Sequence, residues 1–212
     1  MTAVQIPLEL VMGAGACAST DKGRPLLGGV RVAWSGDLDD EGIPERIVAW
    51  ASDSYKLVVL GFRCAWPEAK AVLDDRAGVL VPPSLWGKPS RLLNRRRSGV
   101  GALLEVDGTT LTLRAASAVW SEPSMPVAGF PKVANLFSGK TAHEEFSIRP
   151  IHFADLEKVS DAVLNPLGTR PSARGWRPWT VTCTSGLKPL HATCSIDDTS
   201  TTAWALLMPA RK

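Results

Sequence analysis

The side chains best suited to chemistry in this chain are three histidines and four cysteines, and their spacing supports little of it. His143, His152 and His191 are scattered, and no Ser or Cys nucleophile stands in a pattern that marks a triad with any of them. Cys17, Cys64, Cys183 and Cys194 contain no Cys-x-x-Cys pair and no neighbouring histidine, so metal-ligand spacing is absent. Two readings stand for Cys183 and Cys194: partners facing across a hairpin, or, by default, reduced buried thiols. The Asp and His residues form no general acid–base pair. The expectation is a protein that is not an enzyme, with no catalytic residues, no metal and no cofactor.

What remains is surface chemistry. The stretch "AWALLMPARK", residues 203–212, sets apolar side chains before a Met-Pro step and two cations. Chain ends fray, so such a run is either a strand tied into a sheet or part of a surface that a partner touches. Two basic clusters, "NRRRSG" near residue 96 and "RPSARGWRP" near residue 174, offer attraction to phosphate or are solvated faces. The net charge of +3 is mild, so contact with nucleic acid has to come from such clustering. Eight tryptophans against one tyrosine follow no repeat and read as core or interface anchors. No apolar run is of bilayer length, and the first ten residues lack a signal peptide's basic start, which points to the cytoplasm and away from membranes.

The elements that position these residues follow from periodicity. "IPLELVMGAGACAST" reads as a helix opening at Pro7, buried on most sides and weakened by Gly13 and Gly15. Val30, Val32 and Trp34 alternate with smaller or polar residues as a strand does. "RIVAWASDSYKLVVLGF" predicts two strands joined at Ser52–Ser54. A second unit starts near Lys70, with a short strand and a helical segment whose regular part starts or kinks at Pro89. "ALLEVDGTTLTLRAAS" is a hairpin about Asp107-Gly108. Residues 121–140, with three prolines, read as an irregular connection. Phe153, Leu156, Val159 and Val163 share one helical face. A second hairpin spans 180–196, and "TTAWALLMPARK" is a final strand. Regular strand–helix–strand alternation is missing, so the expected fold class is α+β, antiparallel sheets with short helices on one face.

Three separated stretches and the ending together resemble the bacterial DNA sliding clamp, the β subunit of the replicative DNA polymerase III. "STDKGRPLLGGVRV" is similar to the start of that clamp's middle domain. "WASDSYKLVVLGF" resembles its Ala-Thr-Asp-Gly-His-Arg-Leu-Ala segment, "FPKVANLF" its Phe-Pro-Asp-Tyr linker, and "LLMPARK" its closing Met-Pro-Met-Arg-Leu. The resemblance implies a clamp middle-domain-like unit over 1–130 and a shortened C-terminal-domain-like unit over 131–212. The small size and missing domain fit a phage-encoded or otherwise divergent member.

In that family the terminal strand completes a hydrophobic groove into which polymerases and other replication proteins insert a short peptide. Carried over, the groove is lined by Leu27, Ser52, Ser54, Tyr55, Lys56, Leu57, Pro131, Leu136, Met208 and Pro209, with Leu187 and Pro189 beside them. Met and Leu give a deformable apolar floor, and Lys56 and Arg211 at the rim suit polar or acidic peptide atoms. Ala210 replaces a methionine of the family's ending, and Ser54-Tyr55 replaces Gly-His. The alternative is that "LLMP" is only a core strand.

The resemblance also implies a non-specific hold on the backbone of double-stranded DNA, with Lys88, Arg91, Arg95, Arg96 and Arg97, then Arg170, Arg174 and Arg177, as the cations. The first helix, with Glu9 and no Lys or Arg, is not DNA-facing by this pattern. Helical half-units near 6–18, 84–96 and 152–164 imply a homo-oligomeric ring of roughly three or four chains. The implied partners are DNA, a DNA polymerase, other proteins bearing the clamp-binding motif and, where one exists, a clamp loader. A different function class is a monomeric clamp-like adaptor or decoy that binds replication proteins without encircling DNA.

Overall fold

The computed structural model describes residues 4–34, 46–63, 67–73, 78–87, 102–115, 118–131, 156, 158, 159, 180–182, 190–195 and 201–207. In chain order these give β1 (Val4–Pro7), α1 (Leu8–Gly15), β2 (Val30–Trp34), β3 (Arg46–Ser52), β4 (Lys56–Arg63), α2 (Pro67–Val72) and β5 (Val79–Val81). They continue with α3 (Pro83–Trp86), β6 (Ala102–Asp107), β7 (Thr110–Ala115), β8 (Ala118–Pro123), β9 (Thr180–Thr182), β10 (Leu190–Ser195) and β11 (Thr201–Leu207). A 3-10 turn over Pro25–Gly28 leads into β2.

Two antiparallel sheets result, one ordered β1-β6-β7-β8 and one ordered β5-β2-β3-β4-β11-β10-β9. The first eight strands are two copies of one pattern. A strand and a helix precede a three-stranded meander, first as β1-α1-β2-β3-β4 and again as β5-α3-β6-β7-β8. Each opening strand is exchanged: β1 joins the second meander and β5 joins the first. The larger sheet then takes in β11, β10 and β9, so its strands come from both sides of the unit boundary expected at 130/131. The architecture is α+β, as the periodicity indicates.

The N-terminus departs from expectation. Val4–Pro7 pairs antiparallel with β6, with Ile6 opposite Leu104, and the helix begins only at Leu8. Val4 and Ile6 alternate with exposed Gln5, a strand signal too short to outweigh the helical pattern behind it. Helix α1 buries Leu8, Leu10, Val11, Gly13, Ala14 and Gly15. A Cβ on Gly15 would lie 2.9 Å from the Trp86 ring, so this glycine weakens the helix in exchange for close packing on α3.

Strand β2 is buried on both faces rather than one. On one side α1 and the inner residues Ile47, Ala49, Val58, Leu60, Ala205 and Leu207 make the main core. On the other, Ala33, Val48, Trp50, Leu57, Val59, Leu80, Phe130 and Leu206 form a second cluster, against which Leu26, Met125 and Val127 pack. The connection expected to be irregular over 121–140 is therefore partly ordered. Residues Ser121–Pro123 finish β8, and Met125 bridges Leu80 of β5.

A helical turn opens at Pro83, where a proline follows extended Pro82 as a first helical residue does; Pro89, where the regular part of this segment is expected to start or kink, lies outside the described residues. Helix α2 was not foreseen, although Pro67 followed by Glu, Ala and Lys is a start signal of the same kind. The Asp107-Gly108 hairpin forms as expected, with φ +59 at Gly108 and Asp107 opposite Thr110. Leu156 and Val159 are buried helical positions with Lys158 exposed between them, matching the face read from sequence. Strand β9 pairs with β10, and Cys194 lies opposite Ala203; Cys183 lies outside the described residues.

Candidate functional site

Strands β3 and β4 are joined by a turn whose backbone is held by its own side chains. The Asp53 Oδ1 accepts from the Tyr55 and Lys56 backbone N–H groups, each at 2.9 Å. Ser52 Oγ accepts from the Ser54 N–H at 3.1 Å and donates to the Lys56 carbonyl at 2.9 Å. Short Asp and Ser side chains bond to nearby backbone in this way, which is why they populate turns. Ser54 sits at φ +79, a left-handed conformation costing a non-glycine residue about 1–2 kcal/mol. From the neighbouring loop, Arg24 Nη1 donates to Ser54 Oγ at 2.8 Å.

The end of the described chain runs past this turn. Strand β11 pairs antiparallel with β4, placing Leu207 opposite Lys56 and Leu206 opposite Leu57. Leu57 and Leu206 are 5% and 4% exposed and belong to the outer-face cluster with Phe130 and Trp50. Trp50 is 2% exposed, its indole N–H has no hydrogen-bond partner among the described residues, and the Arg31 guanidinium stacks 5.0 Å from its ring centre. Tyr55 is the opposite case, 61% exposed at the apex of the turn.

Of the residues nominated for the groove, Ser52, Ser54, Tyr55, Lys56 and Leu57 are contiguous in this turn and strand. Pro131 follows buried Phe130 on the connection that crosses the outer face. Leu27 is half-buried, but Leu26, its neighbour, is the residue that packs on the outer-face cluster. Lys56 differs from expectation as a rim cation. Its Nζ lies 2.9 Å from Asp53 Oδ2, and its side chain is only 11% exposed, so the turn itself absorbs the charge. Leu136, Leu187, Pro189, Met208 and Pro209, together with Arg211, lie outside the described residues. So do all the nominated DNA-binding cations, Lys88, Arg91, Arg95, Arg96, Arg97, Arg170, Arg174 and Arg177.

Sequence reasoning missed Asp53 and Arg24 as site residues, and also Trp50, Phe130 and Leu206. Asp53 was legible as a turn residue in "SDSY". Trp50 and Leu206 owe their place to strand register, and Arg24 and Phe130 to loops that reach the site from elsewhere in the chain, which no local pattern reveals. Among the described residues no cluster of three His, Cys, Asp or Glu side chains is arranged to hold a metal. None of the helices there is long and apolar enough to cross a membrane.

No protein-family model matches the sequence, and no curated protein sequence matches it either. Solved structures do match its backbone. The DNA polymerase sliding clamp of Bacillus subtilis superposes with a TM-score of 0.64 at 15% identity, over 100% of this chain and 64% of that one. The DNA polymerase III β chain of Streptococcus pneumoniae gives a TM-score of 0.66 at 13% identity, over 100% and 65%. The sliding clamp of Bartonella birtlesii, solved bound to griselimycin, gives 0.61 at 14% identity, over 99% and 66%. At such identities the likeness is one of fold. The exchanged meanders and the ladder joining β4 to β11 therefore make up the fold of a DNA polymerase III β sliding clamp, and the chain spans 64% of the Bacillus subtilis clamp's length.

Proposed function

We propose that the protein is a sliding clamp. It closes as a homo-oligomeric ring around double-stranded DNA, and it tethers a DNA polymerase through a peptide groove where its final strand passes the Tyr55 turn. It performs no catalytic step. The observation that carries this reading is the β4–β11 ladder, which brings Leu206 and Leu207 beside Leu57 and Lys56 although they are far apart in sequence. A strand tied there by seven register pairs is no frayed end.

The ring would hold DNA by topology, with cations drawn to phosphate and no base reading. Lys88, Arg91, Arg95, Arg96 and Arg97, with Arg170, Arg174 and Arg177, are the groups proposed for that role. Each chain spans about two thirds of a full clamp's length, so roughly three or four copies are needed to encircle a duplex in head-to-tail order. Other motif-bearing replication proteins, and a clamp loader where one exists, would share the groove, in the cytoplasm.

Light scattering on the eluting protein, with negative-stain imaging, tests the ring. A particle of roughly three or four chain masses with a central hole is the expected result. A monomer at micromolar concentration rejects the ring and leaves the adaptor reading, in which the groove binds replication proteins without DNA. Replacing Arg95, Arg96 and Arg97 by Ala should weaken DNA association and flatten its dependence on salt. An unchanged slope assigns the contact to other cations.

A further inference from the structure

The two sheets end in the strands β1, β8, β5 and β9, and three of these four edges are blunted. Strand β1 has four residues and stops at Pro7, and β9 has three. Strand β5 is covered along its outer side, where the Met125 N–H donates to the Leu80 carbonyl at 2.9 Å and Ser124 Oγ accepts from the Leu80 N–H at 3.0 Å. Strand β8 differs. It runs for six residues at the end of its sheet, and no strand lies on its outer side among the described residues. Its one charge, Glu122, accepts a hydrogen bond from the Ser84 hydroxyl, while Val119 is 54% exposed. A long edge with an exposed apolar residue and no outward charge is what monomeric proteins avoid.

The register of β8 shows which groups it offers. The Ser124 N–H donates to the Thr109 carbonyl at 2.7 Å, and the β7–β8 register sets these two residues opposite one another. Pairs along an antiparallel ladder alternate between hydrogen-bonded and non-bonded, so Glu122, Trp120 and Ala118 turn their backbone groups to β7. Val119 and Ser121 turn theirs away from it. The internal repeat says what fits there. Strands β4 and β8 are each the third strand of a meander, and β4 takes β11 antiparallel on the matching side. We propose that a second copy of this chain adds an antiparallel strand to β8, and that this ladder is the junction between copies. This rests on the homo-oligomeric reading above and assigns it a surface. The outward N–H and C=O groups of Val119 and Ser121 supply the main-chain bonds, and the Val119 side chain supplies an apolar cross-strand contact.

Light scattering across a dilution series, on the full chain and on single variants of it, tests this. Ser121→Pro removes an outward N–H without touching the backbone bonds to β7, and Val119→Lys sets a charge on the same edge. Each should raise the concentration at which the assembly falls apart by at least about tenfold, with the far-UV circular dichroism unchanged. Gln5→Lys, the same charge placed at an exposed position of β1, should leave that concentration within about twofold. Residue-resolved hydrogen exchange should find the amides at 119 and 121 at least about tenfold slower in the assembled wild type than in the Val119→Lys protein, with those at 120 and 122 slow in both. An assembly that survives Ser121→Pro and Val119→Lys, with fast amides at 119 and 121, overturns this inference and leaves the ring standing. An equal loss with Gln5→Lys does the same, because charge alone would then be the cause. A wild type that stays monomeric overturns the ring and this inference with it. A two-chain particle that both β8 variants split upholds the β8 junction and overturns the larger ring.

Discussion

Asp53→Ala is the change that asks most of the site, because one carboxylate holds three groups. Its Oδ1 accepts from the Tyr55 and Lys56 N–H groups at 2.9 Å, and its Oδ2 faces Lys56 Nζ at 2.9 Å. Hydrogen bonds to a charged acceptor contribute about 1.5–3 kcal/mol each where they are shielded, and near 1 kcal/mol where water competes. The Asp53 side chain is 22% exposed, and the Lys56 side chain 11%, so the pair is only partly screened. Counting the two N–H bonds near the lower figure and the ion pair at about 1 kcal/mol gives a loss of about 3 kcal/mol. In a chain of this length that lowers the melting temperature by about 6–12 °C. Asp53→Asn keeps an oxygen for both N–H groups and loses only the ion pair, so it should cost about 1 kcal/mol. Calorimetry and urea unfolding of the three proteins measure both steps. If Asp53→Ala melts within about 1 °C of the wild type, the turn is held by the sheet alone and the carboxylate's contacts add nothing to it.

Leu206→Ala should destabilise the chain by about 2–4 kcal/mol in urea titration, since Leu206 is 4% exposed and faces Leu57 across the β4–β11 ladder. A loss below about 1 kcal/mol would mean that the final strand is only loosely docked. Gly15→Val drives a side chain into the Trp86 ring and should cost about 2–3 kcal/mol by thermal melting; wild-type stability would remove the close approach of α1 and α3. Gly108→Ala meets no atom within 4 Å, so its whole cost is the strain of φ +59, about 1 kcal/mol, and a larger loss would indicate packing at that hairpin.

The sequence revealed most where physics is local. Asp107-Gly108, the Ser52–Ser54 turn and the alternation of Val30, Val32 and Trp34 each specify a strand or turn within a few residues, and each is found. Strand β1 was missed because Val4 and Ile6 supply only two alternations before a strong helical pattern, and its partner Leu104 is far along the chain. Burial of β2 on both faces was equally hidden, since the residues covering its second face arrive from the connection after β8. The site divides the same way. Asp53 and Tyr55 are readable from the turn, whereas the meeting of Leu57 with Leu206 depends on strand order in the larger sheet. Lys56 reads from sequence as a rim cation for peptide atoms, and its pairing with Asp53 is hidden there because it depends on how tightly the turn closes.

The ladder between β4 and β11 also has a consequence for how the protein is made. Its two strands lie roughly 150 positions apart, so a ribosome adding 5–20 residues per second leaves about 8–30 seconds between their appearances. Throughout that interval β4 has β3 on one side and an open row of backbone donors and acceptors on the other, with Leu57 and Val59 bare beside it. Nascent chains on neighbouring ribosomes would carry the same open row, which makes this edge the point at which newborn copies are most prone to stick to one another.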